Sequence, residues 1–187
     1  MTTTLNAIRS YRPCVTGWAK LLTYLNKTQP DDEPLSLLTV LESNGLDDAV
    51  WCLRTEPTLE RTIQFALAVA RRVEHLSPAA KALNDITEQY INGQETKEKL
   101  TTAAYAVKLA YDTLIVPSRY AAFTALYKAN TARYPGDKDY VVYASGASVY
   151  ANHTVHLASS VAHAASGEAY YAAERQAQTD IFKEIFA

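Results

Sequence analysis

Between Thr101 and Ala187 alanine and tyrosine crowd together, and that pairing limits what this chain can fold into more than any other feature. The groups Ala103-Ala104-Tyr105-Ala106, Tyr120-Ala121-Ala122-Phe123 and Tyr170-Tyr171-Ala172-Ala173 recur without a strict period. Alanine is the strongest intrinsic helix former because its side chain loses no rotamer freedom, and it lets neighbouring helix axes come close. Tyrosine fills the gaps that remain and keeps a hydroxyl for a partner or for water. The pattern predicts an all-α fold, a single domain of about seven to nine helices stacked as antiparallel neighbours. Residues 1–56 read as a lobe of short helices, and residues 57–187 as the longer helices rich in alanine and tyrosine.

The periodicity places these helices. Val15, Trp18, Leu21, Leu22 and Leu25 form one apolar stripe on a first helix from about Pro13 to Lys27, with Trp18 as a core anchor. Pro34 is expected to open a second helix, which Gly45 ends. Asp47 and Asp48 read as charge placed at a helix N-terminus; adjacent carboxylates point about 100° apart on a helix, which argues against a general acid/base pair. Pro57 is expected to open a helix reaching Leu76, and Ser77-Pro78 to cap one that Asn92-Gly93 stops. A helix from Glu95 is interrupted at Pro117, another runs from Ser118 to about Arg133, and Tyr134 to Asp137 is a turn. One long helix, or two broken near Ser166-Gly167, then reaches the C-terminus. There Ile181, Phe182, Ile185 and Phe186 make an apolar stripe that must dock. No alternating run argues for a sheet.

Composition narrows the function classes. Hydrophobic residues make up 48% and charged residues 20%, which argues against a disordered chain, and a net charge of -2 gives no footprint for non-specific nucleic-acid binding. Lys99, Tyr105, Lys108, Tyr111, Arg119, Tyr120, Tyr127, Lys128, Arg133 and Tyr134 do alternate basic and aromatic character, as single-strand binders do. Arg119 and Lys128 fall on opposite helix faces, however, so a solvated surface is the simpler account. Cys14 and Cys52 sit beside apolar residues where a small buried thiol fits, and are read as inert, reduced thiols in a cytoplasmic protein; the alternative is a disulfide between them. No signal peptide and no bilayer-spanning run is evident.

Candidate chemistry is sparse. His153, His156 and His163 share one side of a helix and suggest a metal site completed by Glu168 or Glu174. His156 and His163 lie about 10 Å apart along the axis, too far to share one ion, so no metal and no cofactor are expected. No phosphate loop, nucleophile elbow or paired-cysteine motif occurs. The opposite face carries Ala144, Ala151, Ala158, Ala162 and Ala165, a smooth strip for helix packing and a route to self-association.

Tyr11 to Cys14, Gly17-Trp18, Pro34 to Leu38 and Leu41 to Arg54 carry a resemblance that continues through Phe65 to Leu76, Ala82-Leu83, Tyr90, Asn92-Gly93, Glu174 to Gln178 and Phe182 to Phe186. With these residues the chain resembles uncharacterised, alanine-rich, all-helical proteins of phages and bacteria that are usually labelled immunity proteins. Their repeats are richer in tryptophan and arginine; tyrosine, serine and histidine stand here instead. The resemblance implies an intracellular helical protein with no catalytic residues to carry over. The leading expectation is therefore a non-catalytic interaction factor that neutralises a protein partner by binding it. Its surface is expected at Tyr120, Tyr127, Tyr134, Tyr143 and Tyr150 with His156 and His163, because tyrosine is enriched in contact patches. The alternatives are a helical pocket protein that sequesters a small ligand or nucleotide signal and, third, a metal-dependent enzyme.

Overall fold

The computed structural model describes residues 1–56, 58–106, 116–131, 150–151, 153–160 and 168–187. They form an all-α, multi-helix domain with one two-stranded ribbon. In the first lobe Thr2–Thr3 (β1) pairs antiparallel with Leu35–Ser36 (β2), Thr2 opposite Ser36. Helix α1, Leu5–Ser10, follows, started by the Thr4 hydroxyl, which accepts the Ala7 N–H at 3.0 Å. Neither the ribbon nor α1 was expected from periodicity. Helix α2, Val15–Tyr24, is capped by the Cys14 thiol, and Val15 is 85% exposed, so the stripe begins at Trp18 and not at Val15. Pro34 does not open the next helix: Leu35 and Ser36 belong to β2, and the Ser36 hydroxyl caps α3, Leu37–Asn44. Gly45 does end α3, with φ at 97°, a value a side chain would strain. Helix α4, Leu46–Trp51, and a 3₁₀ turn, Cys52–Thr55, complete the lobe.

Helix α5, Glu60–Arg71, is shorter than expected and gives way to a 3₁₀ turn at Glu74–Leu76; Pro57 lies outside the described residues. Its N-terminus is held by buried Glu56, whose carboxylate accepts the N–H groups of Arg61 and Thr62 at 2.9 and 2.8 Å, where a helix end favours negative charge. Ser77 and Pro78 start α6, Pro78–Ile91, as the sequence predicts. Helix α7 is Lys97–Ala106, and α8, Val116–Thr131, takes Pro117 into its first turn, where a missing N–H costs nothing. Residues 150–151 and 153–160 are helical (α9), and α10 is Glu168–Phe186. Residues 161–167, where the sequence allows either one continuous helix or a break near Ser166-Gly167, lie outside the described residues. Among the described residues no helix is long and apolar enough to cross a membrane.

Packing follows side-chain size. Helix α8 lies against α5 and α6, with Ala121 and Ala122 fully buried between them. The larger core gathers Leu5, Ile8, Leu37, Val40, Val50 and Leu53 of the first lobe against Phe65 and Val69 of α5 and the end of α10. The C-terminal stripe docks as expected: Phe182 and Phe186 are fully buried, their rings 4.5 Å apart, and the Phe65 ring meets them edge-on at 5.4 and 6.3 Å. A second cluster, Ile63, Leu83, Leu100, Ala104, Ala122 and Leu126, fills the space between α5, α6, α7 and α8. Phe182→Ala is expected to lower unfolding free energy by about 3–5 kcal/mol, the cost of an aromatic-sized cavity, whereas Val15→Ala should stay within about 0.5 kcal/mol; urea denaturation followed by circular dichroism measures both.

Candidate functional site

Three helices bring five rings into one row. Tyr105 is in the last turn of α7, Tyr120 and Phe123 are one turn apart on α8, and Tyr150 and His153 one turn apart on α9. Because Ala121, Ala122 and Ala151 turn into the core, these neighbours are left at its edge. Tyr105 meets Phe123 at 5.6 Å, Phe123 meets Tyr150 at 5.5 Å, Tyr150 meets Tyr120 at 5.4 Å and Tyr120 meets His153 at 5.1 Å. Tyr105 is 52% exposed and His153 exposed, while Tyr120, Phe123 and Tyr150 are half-buried. Aromatic pairs at these separations stabilise one another by about 0.5–1.5 kcal/mol each, so the row is an apolar surface with hydroxyls attached.

Two of the expected binding tyrosines, Tyr120 and Tyr150, therefore stand together. Tyr127 belongs to α8, but its side chain lies outside the described residues, as do Tyr134, Tyr143 and His163 altogether. Tyr105, Phe123 and His153 join the row without having been singled out as its members. For Tyr105 and Phe123 the one signal is the alanine pair immediately before each; His153 has no such mark.

His156 goes elsewhere, to a seam of polar side chains along α10. Its Nε2 lies 3.6 Å from Asp47 Oδ1, which also accepts Arg175 Nη2 at 2.6 Å. Asp47 thus lies in the first turn of α4, as expected, makes no side-chain cap hydrogen bond there, and is also a partner for the last helix. Deeper in the seam, Glu174 is buried and both its oxygens are used: Arg72 Nε donates to one at 2.8 Å and Gln178 Nε2 to the other at 3.1 Å. Gln178 Nε2 also faces Ser159 Oγ at 3.0 Å and the Val155 carbonyl at 3.1 Å. Such a network fixes the register of α10 against α5 and α9, and the fully paired carboxylate avoids the penalty of a bare buried charge. His153 and His156 serve different neighbourhoods, and among the described residues no three histidines, cysteines or carboxylates are placed to hold a metal.

A separate cavity of about 100 Å³ opens between α2, α3 and α4, lined by Trp18, Trp51, Cys14 and Cys52 together with the polar Asn44 and Asp48. Gly17 makes this convergence possible. A Cβ there would come within 2.7 Å of Asp48 Oδ2 and 3.1 Å of Cys14 Sγ, and its own carbonyl accepts Asn44 Nδ2 at 2.8 Å. Asn44 Nδ2 also donates to Asp48 Oδ2 at 2.7 Å, a contact between the end of α3 and the first turn of α4. The two thiols differ: Cys14 is exposed, contrary to the buried position expected from its neighbours, and Cys52 is buried. Burial, reinforced by the Asp48 charge, pushes the Cys52 thiol up to about 12.

No family model, curated protein or solved structure matches this chain. Two measurements check the geometry above. Glu174→Ala is expected to cost about 2–4 kcal/mol in urea denaturation by stranding Arg72 and Gln178, with Glu174→Gln costing less. At pH 8 the native protein should release one equivalent of thionitrobenzoate from Ellman's reagent, through Cys14, and two after denaturation, because Cys52 stays a buried thiol well below its raised pKa.

Proposed function

We propose that the chain works by binding and not by turnover: it is an interaction factor of a phage or bacterial conflict system, acting in the cytoplasm, that neutralises a toxin, nuclease or defence protein by covering part of its surface. The observation that carries this reading is the aromatic row Tyr105–Phe123–Tyr150–Tyr120–His153, built across three helices, in which Tyr105 is 52% exposed and His153 exposed. Tyrosine offers a large contact area for two side-chain torsions, so a partner gains burial at small entropic cost, and rings already packed together lose still less. The conflict setting is drawn from the sequence resemblance. Alanines of α9 support the surface from behind: Ala151 and Ala158 are buried within the chain, so that part of the smooth strip is spent on its own fold.

The test uses the wild type and a Tyr105→Ala/Tyr120→Ala/Tyr150→Ala variant as baits in lysates of phage-infected and uninfected bacteria. A protein retained by the wild type should be lost by the variant, with purified components showing at least about thirtyfold weaker binding, as anchors of about 2 kcal/mol or more require. Helical circular dichroism must be unchanged. A partner held equally by both baits places the interface elsewhere and overturns the assignment.

A further inference from the structure

A partly buried guanidinium needs its charge met, and the half-buried arginines of this molecule differ in how they meet it. Arg71 lies against Glu74, Asp85 and Glu88, and Arg175 lies against Asp47. Arg54, half-buried on the 3₁₀ turn Cys52–Thr55, has no carboxylate partner among the described residues. Its guanidinium instead stands 3.8 Å from the Trp51 ring centroid and donates through Nε to the Trp51 carbonyl at 2.7 Å. These contacts hold the planar group by one face and by Nε, and its two Nη atoms have no hydrogen-bond partner among the described residues. Burial lowers the pKa of Arg54, while at Arg71 the cost of burial is outweighed by Asp85, Glu74 and Glu88.

A second donor is close by. Helix α1 packs on this turn, and Tyr11, the residue that ends α1, is half-buried within electrostatic reach of Arg54. Burial raises the pKa of Tyr11 against the opposing pull of Arg54, so its hydroxyl keeps its proton, and that hydroxyl too has no hydrogen-bond partner among the described residues. Two half-buried donors without an acceptor match a group that brings acceptors and negative charge. Arg9 and Arg12 flank Tyr11 in a tight turn, where the Arg12 N–H donates to the Arg9 carbonyl at 2.9 Å, and both side chains are exposed with no ion pair among the described residues. Residues 1–30 include four basic residues and no acidic one, in a chain whose net charge is -2. The positive patch is nevertheless short. Asn6, at the other end of α1, donates its N–H to the Asp31 carbonyl at 3.0 Å, which brings the acidic run Asp31-Asp32-Glu33 against that end of the helix. A long polyanion laid along α1 would meet those acids, and a short acidic segment would not.

We infer that the corner formed by α1 and the turn Cys52–Thr55 is a docking site for a short acidic segment of a partner protein, one carboxylate of which is taken by the Arg54 Nη edge and the Tyr11 hydroxyl, with Arg9 and Arg12 attracting further acids at the rim. A guanidinium already fixed by stacking loses little freedom when it grips a planar carboxylate in its fork, and an ammonium group cannot reproduce that grip.

The experiment follows the fluorescence anisotropy of a dye-labelled hexaglutamate peptide titrated with the full chain at about 20 mM salt, where screening is weak. Binding should saturate. Arg54→Lys, which keeps the charge and loses the fork, should weaken it at least about fivefold, while Arg61→Lys, at an exposed arginine of α5, should leave it unchanged. Arg9→Gln/Arg12→Gln changes exposed side chains alone and should weaken binding about tenfold, which decides the matter if Arg54→Lys fails to fold. No saturation at about 1 mM protein, either variant binding like the wild type once folded, or a hexathymidylate oligonucleotide bound as tightly as the peptide overturns the proposal. The Tyr105→Ala/Tyr120→Ala/Tyr150→Ala variant should bind the peptide like the wild type, so failure at this corner and failure of the aromatic row are told apart.

Discussion

The docking of α10 on the rest of the molecule is the contact on which the fold depends. Phe182 and Phe186 bring two full aromatic side chains to a core made mainly of leucine, isoleucine, valine and alanine, and Phe65 receives them edge-on. At its C-terminal end α10 also meets the start of the chain: the Met1 amino group donates to the Phe186 carbonyl at 3.0 Å, a positive charge placed where a helix end is negative. One turn and more upstream, Glu174 and Gln178 replace apolar contact with directed hydrogen bonds. The apolar end supplies most of the free energy, and the polar end selects one register among several that smooth alanine surfaces would tolerate.

This division of labour changes the meaning of the alanine-rich half. Its alanines do let helices come close, as Ala121 and Ala122 of α8 do against α5 and α6. The largest cluster is nonetheless built by Leu5, Ile8, Leu37, Val40 and Leu53 from short helices of the first lobe, together with the phenylalanines. Alanine sets the spacing, and larger residues elsewhere provide the burial. Tyrosines next in sequence to the buried alanines, Tyr105, Tyr120 and Tyr150, are turned to the edge, and rings collected at an edge make a surface.

What could be read in the sequence is what is local. Ser77-Pro78, Gly45 and the stripe ending in Phe186 are signals contained within a few residues, and each sits where it was expected. Helix α1 has six residues, too few for a periodic stripe, and β2 takes its conformation from pairing with a strand more than thirty residues away, so neither leaves a local mark. The same distinction holds at the sites. Tyr120 and Tyr150 could be singled out by residue type, whereas the meeting of Arg72 with Glu174 across 102 residues, or of Trp18 with Trp51 around one cavity, depends on how helices cross. Asp47 and Asp48 show the limit of a local explanation: both lie in the first turn of α4, where the sequence places negative charge, and each carboxylate also accepts a side-chain hydrogen bond that the local pattern does not reveal.

That pair of aspartates also joins the two halves of the molecule. Successive residues on a helix point about 100° apart, so α4 sends Asp47 outward to Arg175 of α10 and Asp48 inward to Asn44 and the cavity. A six-residue helix cannot bend to satisfy one without setting the direction of the other. The orientation of α10, fixed by Phe65 at one end and Glu174 along its length, therefore also fixes how Asp48 faces Trp18 and Trp51. The cavity sits in the first lobe in sequence, but its polar end is held in place from the C-terminus.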